Sequence, residues 1–308
     1  MAQIDGASTD RPLLGILLML GFCATIPLSD AIVKLLGETI PLLELLVVRF
    51  CAQALLLVPV LMHGSRAIAM PPRILKLTIA RTLLHIIGIG AMFASLRFLP
   101  LADAVAIAFV MPFLLLLLGR WLLKEEVGPR RLSACAVGFL GTLLVIQPSL
   151  AEVGWPALLP LLVALSFAFY ILVTRRIAQE ADPIVLQGVS GLMGAVGLSV
   201  LLVLTLQSGI PGTGVVAPNA QEAVLMAMSG LLGAFAHLLM TWSLRFAPSA
   251  TLAPMQYLEI PFATLIGWIV FRDLPDGLAA VGIAVTMAAG LYIVMRERKL
   301  AEPVPPES

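Results

Sequence analysis

The chain has 308 residues, 60% of them hydrophobic and 12% charged, with a mean hydropathy of +1.04 and a formal net charge of +1. Soluble domains are about 25% charged, and a soluble fold of this size could not hide so much apolar side chain; a soluble enzyme, a nucleic-acid binder and a disordered chain are therefore excluded. The 19 basic and 18 acidic residues leave no basic face for nucleic acid, and Cys23, Cys51 and Cys135 lie in apolar runs without the paired spacing of a disulfide framework or metal site.

Crossing a hydrocarbon layer of about 30 Å takes about 20 apolar residues as helix. The sequence predicts ten such spans, at roughly 13–36, 41–62, 76–97, 101–119, 131–148, 155–175, 184–207, 222–243, 249–271 and 277–295. The strict alternation of a membrane β-barrel is absent. The N-terminus carries little positive charge and no small-residue cleavage site, so the first apolar run is read as a span, not a signal peptide. The expected fold class is an all-α membrane protein of ten transmembrane helices.

Ionisable groups inside hydrocarbon are expensive and normally face a cavity or a partner. In span 1, Asp30 and Lys34 share a helix face, either as a structural ion pair or as a polar cavity wall, and Pro27 frees a backbone carbonyl beside them. In span 2, Arg49 and Gln53 share a face, where Arg49 would hold an anionic group or brace Asp30. In span 3, Arg81 reads as snorkelling toward the cytoplasmic end, while His85 lies at mid-depth. In span 4, Asp103 reads as wet at the outer end, and Phe109 precedes a mid-span proline, Pro112.

Tyr170 lies in span 6, and Gly188, Gly191, Gly194 and Gly197 in span 7 allow close helix contact. His237 in span 8 is a second mid-depth histidine. Span 9 holds Gln256, Tyr257 and Glu259 between Pro254 and Pro261, so the helix is irregular where a buried carboxylate suits proton coupling or cation binding. The alternative for each of these side chains is ordinary hydrogen bonding or packing in the core. No metal spacing accompanies the histidines.

Lys and Arg collect on one side. With the N-terminus in the cytoplasm, 14 of them fall at cytoplasmic span ends and only Lys34, Arg97 and Arg272 at outer ends, which predicts both termini inside. The run SLRFLP (Ser95–Pro100) returns as SLRFAP (Ser243–Pro248), and at the same offset Phe109 aligns with Tyr257 and Lys124-Glu125 with Arg272-Asp273. The chain thus reads as a cytoplasmic tail at 1–12, two five-span repeats at 13–148 and 155–296, and a disordered cytoplasmic tail at 297–308. Because five is odd, the second repeat enters the membrane upside-down, an architecture common among secondary transporters.

The stretch from Ala94 to Pro148 resembles the repeat of the EamA-type drug/metabolite transporters: a proline-bearing span at Met111-Pro112, the acidic loop Leu122–Arg131, and a small-residue span with Gly138 and Gly141. Ser243 to Arg296 repeats all three, with Asp273 where the family usually has Glu, and Val47–Phe50 resembles the family's Arg-Phe pair. The overall texture, not any single residue, is similar to the bacterial riboflavin-transporter branch.

The resemblance implies a secondary transporter that moves a small metabolite by alternating access across a bacterial inner membrane. Riboflavin is one expected solute, and amino acids, drugs or other metabolites of the superfamily are the alternatives. The expected substrate or coupling residues are Asp30, Arg49, Gln53, His85, Phe109, Tyr170, His237, Gln256, Tyr257 and Glu259. The partners are the lipid bilayer, a small-molecule solute and a coupled proton or other ion. No cofactor is expected, and the sequence carries no P-loop, GxSxG or HExxH that would point to ATP hydrolysis or an intramembrane enzyme. It also lacks the filter or charged ring of a channel.

Overall fold

The computed structural model describes residues 11–63, 70–122, 129–178, 180–206, 209–210, 212–247, 252 and 255–301, and among them it is all helical. The elements are α1 (Pro12–Leu36), α2 (Leu42–His63), α3 (Pro72–Ser95), α4 (Leu101–Ala108), α5 (Met111–Leu122), α6 (Pro129–Val153), a 3-10 turn (Trp155–Leu158), α7 (Leu159–Ala178), α8 (Pro183–Thr205), α9 (Ala220–Phe246), α10 (Glu259–Phe271) and α11 (Gly277–Ala301). Lys124, Glu125, Glu126, Arg66, Pro254 and the C-terminal tail from Glu302 lie outside the described residues.

Seven helices among the described residues are long and apolar enough to cross a membrane, and three shorter apolar helices accompany them, at Leu101–Leu115, Glu259–Phe271 and Gly277–Tyr292. The bundle is apolar outside, and its largely apolar interior holds a set of buried polar groups. Leu55, Val203 and Leu204 are exposed, whereas Arg49, Arg81, His85, Gln187 and His237 are buried. Such a surface suits lipid and not water.

Four helix pairs carry the packing: α1 against α9, α3 against α7, α2 against α8, and α6 against α11. Small residues set the closest approaches. A Cβ at Gly194 would collide with the Phe50 ring, and one at Gly141 would meet the Gly282 carbonyl and Thr286. Gly188 and Gly191 likewise face α2, but Gly197 faces open space.

Two of the predicted spans are broken. The fourth divides into α4 and α5 around Phe109–Val110, where the Phe109 N–H reaches the Val105 and Ala106 carbonyls and the Val110 N–H the Ile107 carbonyl. Pro112 is the cause: it has no N–H to offer the Ala108 carbonyl that a continuous helix would satisfy. The ninth is interrupted at Tyr257 and Leu258, which form a turn between the helical residues Leu252, Met255 and Gln256 and the helix that starts at Glu259.

Other ends follow local chemistry. Asn219 and Glu222 form a reciprocal capping box at the start of α9. Gly154 takes φ +70° before the 3-10 turn, a left-handed value that favours glycine.

Candidate functional site

The two breaks face one cavity. Its volume is about 680 Å³, counting the space at its open side. Its walls come from α1, α2, α3, α4, α5, α7, α9, α10 and the turn before α10. The lining is mostly apolar and includes aromatic and thioether side chains, among them Phe22, Phe93, Phe109, Phe167, Met92 and Met240. Such flat, polarizable walls suit a planar solute.

Six of the ten sequence-predicted residues line this cavity: Asp30, Arg49, Phe109, His237, Gln256 and Glu259. Asp30 and Glu259 are close enough for their charges to interact, as are Asp30 and Arg49, yet no ion pair joins any two of the three. The expected Asp30–Lys34 pair does not form. Lys34 instead donates to the Leu99 carbonyl at 2.7 Å and sits 5.4 Å from the centre of the Phe271 ring. Arg49 does not brace Asp30 either. It donates to the Gly230 carbonyl at 3.3 Å and lies 2.9 Å from His237 Nδ1.

Arg49 can sit there because Gly233 has no side chain; a Cβ at that position would occupy the guanidinium itself. The Gln256 side-chain amide donates to Met19 Sδ at 3.8 Å, and its amide oxygen is buried without a partner among the described residues.

The other four predicted residues lie behind the cavity wall. Gln53 donates to the carbonyl and side-chain oxygens of Gln187, at 2.7 and 3.0 Å. His85 packs at a tilt against Tyr170 and His237, with ring centroids 4.8 and 4.3 Å away, and neither of its nitrogens has a hydrogen-bond partner among the described residues. Tyr257 packs on Phe109 at 5.3 Å between centroids and fills the space left by Gly290. Tyr170 belongs to a cluster around Arg81.

Arg81 overturns the snorkelling expectation. It is fully buried and donates to four hydroxyls: Thr174 at 2.8 Å, Ser190 and Tyr170 at 2.7 Å each, and Thr241 at 3.2 Å. Its guanidinium also lies over the Tyr170 ring, 4.7 Å from the centroid. Gln187, which the sequence reading passes over, extends this cluster by donating to Thr241 and to the His237 carbonyl, each at 2.7 Å. Asp103 is also drier than expected, only 9% exposed and accepting from Ser149 at 3.3 Å.

Sequence reasoning missed Phe22, Phe93 and Phe167 as cavity walls, because an aromatic in an apolar span carries no signal of what it faces. The Thr174, Ser190 and Thr241 hydroxyls were equally silent, since each lies on a helix remote in sequence from Arg81.

Residues 13–147 and 154–296 each match the EamA-like transporter family. A riboflavin transporter of Rhizobium johnstonii is 32% identical over 223 residues, covering 72% of this chain and 70% of that protein. A riboflavin transporter of Brucella anthropi is 27% identical over 72% of this chain and 77% of its own length. An S-adenosylmethionine uptake transporter of Rickettsia prowazekii is 24% identical over 89% of this chain and 90% of that protein. A protein of known crystal structure shares the fold with a TM-score of 0.66, at 18% identity and over 94% of this chain and 98% of its own. The chain belongs to the EamA-like transporter family and is a multi-pass membrane transporter.

Proposed function

We propose that this member of the EamA-like transporter family moves riboflavin across a bacterial inner membrane by alternating access, with its two halves rocking about the central cavity. The observation that carries the substrate is the cavity itself. Aromatic and methionine walls flank a few polar groups that no protein partner saturates, in a chain 32% identical to a riboflavin transporter. A flat ring system stacks on such walls while its polar edge and tail meet Asp30, Arg49, His237, Gln256 and Glu259.

The proposed frame is ten transmembrane helices in two inverted five-helix repeats, 13–148 and 155–296, with short tails at 1–12 and 297–308 and both termini cytoplasmic. Contacts between residues 148 positions apart support it: Phe109 packs on Tyr257, and Thr286 donates to the Gly138 carbonyl at 3.3 Å. Repeat mates touch one another only next to a two-fold axis that relates the copies. The pairing of α1 with α9 and of α3 with α7 has the same form. The Lys and Arg bias supports the orientation. The family match at 13–147 and 154–296 supports the boundaries.

A second reading has its own observation. Asp30 and Glu259 put two carboxylates beside a single arginine, a balance that favours a cationic solute such as S-adenosylmethionine, or a proton travelling with the substrate. Growth of a riboflavin auxotroph that lacks its own transporter separates the readings. Rescue by the wild type, lost in Glu259→Gln and in Arg49→Ala at equal membrane abundance, is the expected result. Rescue of an S-adenosylmethionine auxotroph in its place would overturn riboflavin in favour of the second reading.

A further inference from the structure

The ring of His237 is held in one tautomer. Arg49 Nη2 lies 2.9 Å from His237 Nδ1, and a guanidinium only donates, so Nδ1 is the bare, accepting nitrogen. The Gly233 carbonyl, 3.0 Å from the same atom, would favour a proton on Nδ1, but it is a neutral acceptor, and the charge-assisted bond from the guanidinium is the stronger of the two. A proton on Nδ1 would set donor against donor. The ring proton therefore sits on Nε2, and this N–H is buried with no partner among the described residues.

No described residue accepts from it. The His85 ring is 4.3 Å away between centroids, but both of its nitrogens are unpartnered too. The Tyr170 hydroxyl already accepts from Arg81. A buried donor left unmade is costly, and in a side chain that lines the cavity the missing acceptor arrives with what enters the cavity. The rings of Phe22 and Phe167, with centroids 5.6 and 5.9 Å from His237, make flat apolar walls around that point.

We propose that His237 donates its Nε2–H to the transported solute, to a ring carbonyl or bare ring nitrogen at the edge of a flat heterocycle, and that Arg49 is the positioning residue that fixes the tautomer for this. The inference rests on the cavity being the transport site. It adds which atom reads the solute and which part of the solute is read: the ring edge, not a flexible tail.

The protein has three histidines, His63, His85 and His237, so ring nitrogens are assignable by 15N NMR of the full chain in nanodiscs, with His63→Gln and His85→Gln as markers. In the wild type, His237 is expected to carry its proton on Nε2. In Arg49→Met both tautomers are expected. An Nδ1-protonated or doubly protonated His237 in the wild type overturns the proposal.

Riboflavin is expected to move the Nε2 resonance. His237→Phe is expected to bind riboflavin, and lumichrome, which lacks the ribityl tail, about tenfold more weakly than the wild type, the loss typical of one hydrogen bond. His237→Gln, which keeps an N–H at similar reach, should fall between the two. Unchanged affinity in folded His237→Phe, or an Nε2 resonance that stays still at saturating riboflavin, overturns it. If riboflavin does not bind the wild type, the riboflavin reading falls by itself. S-adenosylmethionine, with its adenine ring nitrogens, is then the probe for the same shift, and its failure to move Nε2 overturns the donor.

Discussion

Helices α3 and α9 occupy equivalent places in the sequence repeat, 148 residues apart, and the interiors they carry are opposites. At the offset that sets Ser95–Pro100 on Ser243–Pro248, Arg81 of α3 corresponds to Ser229 of α9, and His85 corresponds to Gly233. In α3 the arginine is surrounded: four hydroxyls from three other helices accept from it, and Tyr170 lies under it. In α9 the glycine is a vacancy into which Arg49 of α2 lays its guanidinium, meeting only the Gly230 carbonyl and His237. Both arginines are buried, but one is saturated and the other keeps donors uncommitted at the cavity. A repeated sequence supplies matching helices; whether one is packed solid or leaves a seat for a neighbour's arginine depends on where a side chain is missing.

The largest effect that would sharpen this contrast is the loss of Arg81. Hydrogen bonds from a charged donor are worth more than neutral ones, and truncating a long buried side chain also opens a void. Arg81→Ala should therefore lower unfolding stability by about 3–5 kcal/mol, a size reserved for core cavities and broken buried networks. Denaturant unfolding in detergent reads this. Arg81→Lys should not restore it, because a point ammonium cannot span four hydroxyls on three helices. An Arg81→Ala protein as stable as the wild type would mean that the cluster serves movement and not the fold.

A smaller effect on stability, with a larger one on flux, is expected where the contrast is reversed. Gly233→Ala introduces a single methyl where the Arg49 guanidinium lies. Arg49 must then leave His237, and overpacking of this kind costs about 1–3 kcal/mol. Uptake should fall at least tenfold in proteoliposomes while most of the protein remains folded. Gly197→Ala makes a fair control, since a Cβ there meets nothing within 4 Å. Equal uptake by both variants would show that the seat of Arg49 is irrelevant to transport.

Much of the scaffold was legible from composition and punctuation. Apolar runs gave the helices, and the prolines at positions 112, 254 and 261 marked where spans four and nine become irregular. The repeat at offset 148 aligned Phe109 with Tyr257 without saying that they touch, and the structure has their rings 5.3 Å apart. The charged and polar candidates were legible by type alone, because any ionisable group at mid-depth is suspicious. What each one faces was not. Arg81 was judged by its distance from the helix end, a rule that fails when acceptors come from residues 89 to 160 positions away in sequence. Asp30 and Lys34 share a face in α1, but the sequence did not reveal that the Leu99 carbonyl would draw Lys34 aside. A sequence states what a helix carries, whereas the neighbouring helix decides what those groups meet.

The smallest effect belongs to a third arginine, which separates burial from charge as the source of the first. Arg73, near the start of α3, makes a two-oxygen contact with Glu180 at 2.9 and 3.0 Å, shorter than the Arg49 bond to Gly230. Yet its side chain is 56% exposed and that of Glu180 48%. Exposed pairs contribute only about 0.2–1 kcal/mol, because water and salt screen the charges and two long side chains lose rotamer freedom. Arg73→Ala should therefore leave uptake unchanged and shift unfolding by less than about 1 kcal/mol, with the shift vanishing as salt is raised. A loss comparable to that of Arg81→Ala would mean that good geometry, not exclusion from solvent, sets the worth of an arginine in this bundle, and the distinction between Arg81 and Arg49 would then have to be rebuilt on bond count alone.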